Sequence, residues 1–520
     1  MPNVNLKFLL LKIISFKKFC FKHIHELYVN IQNMKLRNSC VSIAIYLFSF
    51  TSFSQTKIDT TIQNFILLPE CEFASISFKA IDLSTNEIIG SYQSKLSLPT
   101  ASTTKLFSTA SALEILGPNY QPETKLFTDG SLDENGVLIG NIWIQGGGDP
   151  TLGSRYFCET GQERDFLKQW VDTLKKKGVQ TITGSIIADG SSFDYNGVPD
   201  GWIWQDMGNY YGTGPSGICL FDNMLQFNFS TGSKAGDTAL FLGTFPIVPG
   251  LVFNHRITAQ QVKSDNSFLY GAPYSLERFG TGALPLNQSN FTVKGSLPDP
   301  EFQLALEFKE MLKANGIAVK GESQGARTLG KLDPYRYSKF ELLFTHRGKT
   351  IKEIVTQTNV WSVNLFAEQL VCLLAYNQNG VGNTKDGLKV MANFWKNKLN
   401  SGGLFLTDGS GLSRSNGISA AHLTDLVQYM DTSVNKQAFF ESLPVSNVSG
   451  TLKSLCKEQN CAGKIHAKSG TMTRVKSYAG YALSSSGKRI AFTFIVNNFN
   501  GTSSMLNLEI QKLFNALSSY

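Results

Sequence analysis

A chain of 520 residues, 42% apolar and 17% charged, is too long for one core and too apolar to be disordered, so two or three folded domains are expected. The net charge of +8 suggests a basic binding surface, but residues 1–54 hold seven Lys and Arg against Glu26 alone, which accounts for six of the eight. No basic stripe is left in the remainder, and nucleic acid is excluded as a partner.

Residues 1–54 read as a leader. From Met34 the order is basic (Lys35, Arg37), apolar (Cys40 through Phe50), then small (Ser52-Phe53-Ser54), the pattern of a secretory signal over 34–54. Met34 is the expected start, and the alternative is an uncleaved anchor helix, for which the apolar run is short. The mature protein is expected outside the cytoplasm, periplasmic or in the cell envelope, soluble or peripheral to the membrane. Six cysteines follow the leader. Cys456 and Cys461 could close a small loop, Cys372 between Val371 and Leu373 reads as a buried thiol, and nothing pairs the rest. Neither the cysteines nor the six histidines have metal-ligand spacing, so no metal is expected.

Two strands around a turn are expected at 74–80 and 88–92. A helix then opens at Ser102, runs through Lys105, Ala110, Leu113 and Leu116, and stops at Gly117-Pro118. A serine and a lysine three residues apart share one helical face. The serine lies where free N–H groups favour developing negative charge, and a neutral lysine amine one turn on could take its proton. From about 122 to 326 the chain is rich in Gly, Asn, Ser and Phe. Short strands are expected near 137–144, 181–188, 239–242, 257–262 and 290–294, and helices near 164–177 and 301–315. This reads as a mainly β insert, with room for two nested modules, interrupting a domain of 55–121 and 327–520. After it come a helical region at 351–376, a glycine-rich loop at 408–414, a helix at 422–430, a hairpin of 477–483 and 489–497, and a last helix at 503–517. Lys468 falls on or just before a strand.

Three short motifs stand in sequence: Ser102-x-x-Lys105, Ser362-x-Asn364 and Lys468-Ser469-Gly470. Each alone has an ordinary reading as a cap or turn; together, in this order, they point to a serine nucleophile with a lysine base. A Ser-His-Asp hydrolase fits poorly, because there is no Gly-x-Ser-x-Gly elbow and His255, His346, His422 and His466 sit in no partner motif.

The three motifs resemble those of the penicillin-binding protein and serine β-lactamase superfamily. The 260-residue gap between Ser102 and Ser362, with Asp408–Arg414 and Gly147–Leu152, is similar to the low-molecular-mass class C penicillin-binding proteins, D-alanyl-D-alanine carboxypeptidases/endopeptidases. The resemblance covers about Phe65 to the C-terminus. It implies an α/β (α+β) fold: an antiparallel sheet flanked by helices, interrupted by the insert. It also implies a peptidoglycan DD-peptidase without cofactor, acylated by β-lactams. In that scheme Ser102 attacks, and Lys105 is the base, its pKa lowered by burial and by Lys468. Ser362 relays a proton, Asn364 holds Lys105, and Lys468 and Ser469 bind the substrate carboxylate. Gly470 lets the strand approach, and the N–H groups of Ser102 and Thr471 form an oxyanion hole. Asp206 and Arg414 match family residues that face the free amine and carboxylate of the substrate's diamino acid, against an ordinary salt-bridging role for each. Ser469 departs from the more usual Thr but keeps the hydroxyl. A scaffold without turnover, and a β-lactamase or esterase on the same fold, are the alternatives; a homodimer stays open.

Overall fold

The computed structural model describes residues 57–330 and 332–520. The leader, its signal peptide at 34–54 and the choice of Met34 as start lie outside the described residues. No helix among the described residues is long and apolar enough to cross a membrane.

The centre of the molecule is an antiparallel five-stranded sheet in the order Ile465–Met472, Val475–Leu483, Arg489–Asn497, Ser75–Asp82, Glu87–Tyr92. Its two middle strands are buried along nearly their whole length, because both faces are covered. Phe492, Phe494 and Val496 point to one face, where they meet Ile58, Ile62 and Phe65 of helix Lys57–Ile66 and Leu506, Ile510 and Phe514 of helix Ser503–Ser518. The alternate residues Ala491 and Ile495 point to the other, against Phe107, Phe366, Leu423 and Val427 of the helices Lys105–Ile115, Asn364–Asn379 and Ala420–Thr432. The period of two in the strand and near four in the last helix are thus met by one sandwich of helix, sheet and helices.

Between Ile115 and Ile351 the chain builds a small cluster of Phe127, Trp143, Ile187 and Ala326 and two larger cores. One lies under a sheet in the order Ser323–Gly325, Ile186–Asp189, Ile142–Gly146, Glu123–Thr128, Glu341–Arg347, with helices Asp165–Lys176 and Pro300–Ala314 packed on it through Trp170 and Phe308. The other lies between two three-stranded sheets, which share Phe227, Phe229, Ile257, Leu269 and Leu284. Strand Glu341–Arg347 falls beyond the expected boundary at 326 yet pairs with Glu123–Thr128. From that pairing we infer that the inserted segment runs from about 123 to 347, with the second core nested in the first.

Three elements differ from the sequence reading. The strand expected at 137–144 is two, Val137–Ile139 and Ile142–Gly146, because Gly140 takes a φ of 151° and is packed against Gly130. Residues 181–188 likewise hold two short strands, Thr181–Ile182 and Ile186–Asp189. The helical region at 351–376 breaks at Ser362, which is left-handed (φ 61°, ψ 40°), so helix Ile351–Trp361 ends and a new helix starts at Asn364. Cys456 and Cys461 are joined, and Cys372 is a buried free thiol.

Candidate active site

The nucleophile turn comes first. Ala101–Thr104 form a 3-10 turn, and the α-helix proper begins at Lys105. Ala101 is left-handed (φ 47°), a conformation that a side chain adopts only when its surroundings hold it there. The surroundings do so: Ser477 Oγ donates to the Thr100 carbonyl at 2.6 Å, and Thr103 Oγ1 reaches the same oxygen at 3.0 Å. A Cβ on Gly411 would lie 1.9 Å from the Ala101 carbonyl oxygen, so only glycine fits there.

Lys105 is fully buried. Its Nζ has three oxygen neighbours: Ser102 Oγ at 2.9 Å, Asn364 Oδ1 at 2.6 Å and the Ser410 carbonyl at 2.8 Å. A neutral amine has two hydrogens and one lone pair. With both hydrogens held by Asn364 Oδ1 and Ser410 O, the lone pair is left for the Ser102 hydroxyl. Burial lowers the Lys105 pKa to about 7, against the carboxylates of Asp408 and Glu368, which pull it upward. This corrects the expected cause: burial alone lowers it, whereas Lys468 is the group that feels its neighbour's charge.

The break at Ser362 positions the second motif. Its left-handed turn sends Ser362 Oγ to Lys468 Nζ, which donates at 2.9 Å, while Asn364, one residue into the new helix, faces Lys105. Asn364 Nδ2 donates to the Tyr211 carbonyl of the inserted segment at 2.7 Å, so this amide joins the two parts of the chain. Lys468 is fully buried on strand Ile465–Met472, also bonds the Ser469 carbonyl at 2.8 Å, and is held well below the ordinary lysine range by burial, Lys105 and Lys476. Ser469 Oγ donates to Thr451 Oγ1. A Cβ on Gly470 would lie 2.3 Å from Thr100 O and 3.0 Å from Ser102 N. Glycine is required here so that the strand can lie against the nucleophile's own turn, a closer approach than the expected one to substrate.

Ser102, Ser362 and Thr471 lie between two cavities. One, of 410 Å³, is lined by Asp206, Tyr211, Phe268, Asn364 and Arg414. Asp206 and Arg414 therefore share the cleft of Ser102, but no ion pair joins them among the described residues. Arg414 donates to Thr473 O at 3.4 Å, and burial raises the Asp206 pKa against Tyr211 and Arg414. The other cavity, of 330 Å³, is lined by hydroxyls, Asn507 and Lys476. Lys476 is 7% exposed, its Nζ donates to Thr471 Oγ1 at 2.9 Å, and no carboxylate among the described residues pairs with it. Burial lowers its pKa to about 8.

Four residues here had no role in the sequence reading, although two of them lie in the Asp408–Arg414 stretch it singled out. Asp408, fully buried, accepts from Gly411 N, Ser413 N, Asn416 Nδ2 and Trp202 Nε1 and so winds the 408–416 loop around itself. Glu368 accepts from Gly409 N and Ser410 N, which fixes the Ser410 carbonyl on Lys105; burial and Asp408 push its pKa up. Ser410 gives its carbonyl to Lys105, while its hydroxyl donates to Asp408 Oδ2 at 3.4 Å and accepts from Leu412 N at 3.3 Å. Lys476 is one lysine among many until the hairpin register sets it opposite Thr471. The glycine density at 408–414 was the one visible signal. His466 stacks on Phe440 at 4.4 Å, away from this chemistry.

The likeness to known proteins runs the length of this architecture. The chain is 27% identical over 446 residues to a D-alanyl-D-alanine carboxypeptidase of Actinomadura sp. (strain R39), covering 83% of this chain and 79% of the relative. It is 24% identical over 460 residues to the D-alanyl-D-alanine carboxypeptidase DacB of Haemophilus influenzae, covering 87% and 90%. The crystal structure of penicillin-binding protein 4 (DacB) from Haemophilus influenzae superposes with a TM-score of 0.73 at 22% identity, covering 89% of this chain and 99% of that one. A second crystal structure of that protein holds a β-lactam, with a TM-score of 0.69 at 21% identity and coverage of 89% and 100%. The D-Ala-D-Ala carboxypeptidase 3 (S13) family matches residues 57–516, which span the sheet, the inserted segment and all three motifs, and the chain belongs to that family.

Proposed function

We propose that this chain is a peptidoglycan DD-peptidase working through a Ser102 acyl-enzyme, releasing D-alanine from D-Ala-D-Ala ends and opening D-Ala cross-links. The observation that carries this reading is the three-way hold on the Lys105 amine. The amine takes the Ser102 proton as Oγ attacks the penultimate D-alanine carbonyl. The N–H groups of Ser102 and Thr471 receive the oxyanion; such a donor is typically worth roughly 10²–10³ in rate. The C–N bond then breaks. Its nitrogen takes a proton from Ser362 Oγ, and the proton that Lys105 took returns to Ser362 by way of the Lys468 amine. D-alanine leaves, and water hydrolyses the ester.

The two cavities divide the substrate. The stem peptide's diamino acid lies toward Asp206 and Arg414, whose opposite charges suit its free amine and carboxylate. The leaving residue's carboxylate lies in the hydroxyl-lined cavity, where Ser469, Thr471 and the unpaired cation Lys476 receive it. β-Lactams carry a comparable carboxylate beside a strained amide and acylate Ser102 by the same route. The working site is expected outside the cytoplasm, on the wall.

Mass spectrometry after penicillin treatment, paired with D-alanine release from a pentapeptide, tests this. One covalent adduct on Ser102, lost in Ser102→Ala together with D-alanine release, is the expected result. An adduct that persists in Ser102→Ala would refute it.

A further inference from the structure

The inserted segment presents a surface that the reaction above does not use. The sheet of Val252–Gln260, Glu277–Pro285 and Asn266–Tyr270 buries one face on Ile257, Leu269 and Leu284. Its other face is open and aromatic. Tyr270 is registered opposite Phe279 and Phe268 opposite Thr281, while Asn254 and Arg256 register with the same two partners from the far side. Trp204 extends the row. Its ring lies 6.2 Å from that of Tyr270, which lies 6.3 Å from Phe279, with planes 31° and 36° apart. Trp204 is 56% exposed, Phe279 38% and Phe268 37%. A contiguous patch of large apolar rings left in water marks an interaction site.

Its position says which. Phe268 lines the same cavity as Ser102, Asp206 and Arg414, so the row is continuous with the side of the cleft that takes the stem peptide. In the wall polymer that peptide is joined at its amino end to a sugar chain, which must leave the cleft on this side. Pyranose rings present flat apolar C–H faces that lie on aromatic rings, and their N-acetyl and hydroxyl rims need polar partners such as Asn254 and Arg256. An anionic membrane surface would call for a basic cluster, whereas this face carries Arg256 and Glu277, one charge of each sign, at separate register positions. We propose that this face is a platform for the glycan strand, a polymer of N-acetylated hexosamines, holding it while the attached peptide reaches Ser102. The proposal deepens the DD-peptidase reading and rests on it.

The test compares wild type with Phe279→Ala and Phe279→Tyr. D-alanine release is measured from a free pentapeptide and from the same pentapeptide on glycan strands, and tryptophan fluorescence is titrated with N-acetylchitotetraose. Wild type and Phe279→Tyr should favour the glycan-borne substrate by about tenfold or more in kcat/KM and give a saturable fluorescence change. Phe279→Ala should lose both and keep its rate on the free peptide. The proposal is overturned if Phe279→Ala keeps the preference and the titration. It is equally overturned if sedimentation shows a dimer that Phe279→Ala disperses, since the face would then hold a second copy of this chain. Failure of every protein on the free pentapeptide would instead refute the hydrolase reading, and the fluorescence titration would still decide the platform.

Discussion

The pH dependence of acylation follows from the surroundings of Lys105. At an ordinary lysine pKa of 10.5 only about 3 in 10,000 amines are neutral at about pH 7. At about 7 half are neutral, so burial raises the base population more than a thousandfold, a gain partly offset because the less basic amine is a weaker proton acceptor. The second-order rate of acylation by a fluorescent penicillin should therefore be flat above about pH 8 until other groups titrate, and at half its plateau at about pH 7. Below it, the rate should fall about tenfold per pH unit, to roughly 1% of the plateau at about pH 5. The carboxylates of Asp408 and Glu368 oppose burial, so removing one moves this limb. With Asp408→Asn, Lys105 loses an attraction that favours its charged form, and the limb should move to lower pH. A thermal melt beside the kinetics shows that the variant is folded. A flat wild-type profile down to about pH 5 would refute Lys105 as the base; a limb that stays put in folded Asp408→Asn would mean that Glu368, relieved of Asp408's charge, ionises in its place.

Further outcomes can be checked the same way. Lys476→Met should raise KM for D-Ala-D-Ala peptides by roughly 10- to 100-fold, the value of a charge-assisted hydrogen bond, and abolish discrimination against a C-terminal amide. Because Lys476 is neutral above about 8, wild-type KM for carboxylate-ended peptides should climb beyond that pH, a climb that Lys476→Arg removes. Gly470→Ala places a methyl 2.3 Å from the Thr100 carbonyl, so denaturant melts should show a loss of about 1–3 kcal/mol, with slower penicillin acylation. Asp206→Asn should weaken selection for a free amine on the substrate's third residue, read as kcat/KM for the free against the N-acetylated side chain, and leave acylation by a simple penicillin close to wild type.

The candidate set was legible because the spacing within each motif is local. Ser102 and Lys105 share a helical turn, Ser362 and Asn364 flank one residue, and Lys468 sits on an alternating strand. The last helix and the final hairpin were legible for the same reason, since period and turn residues are properties of short windows. The break at Ser362 was not. The apolar pattern runs unbroken from Ile351 to Tyr376, and the left-handed turn is held by Lys468, more than a hundred residues on. Nor was the pairing of Glu341–Arg347 with Glu123–Thr128, a long-range choice that neither strand announces.

By itself, then, the order of residues marked the candidate groups, because Ser102 and Lys105 fall one helical turn apart and the other two motifs are equally short. Only the tertiary structure decided how those groups are tuned. Lys105 becomes a base near neutrality through burial beneath the 408–416 loop, whose carbonyl at Ser410 is aimed by Glu368 and whose winding is fixed by Asp408 and Trp202. Desolvation and the charges of neighbours remote in the chain belong to packing, and no local pattern encodes them.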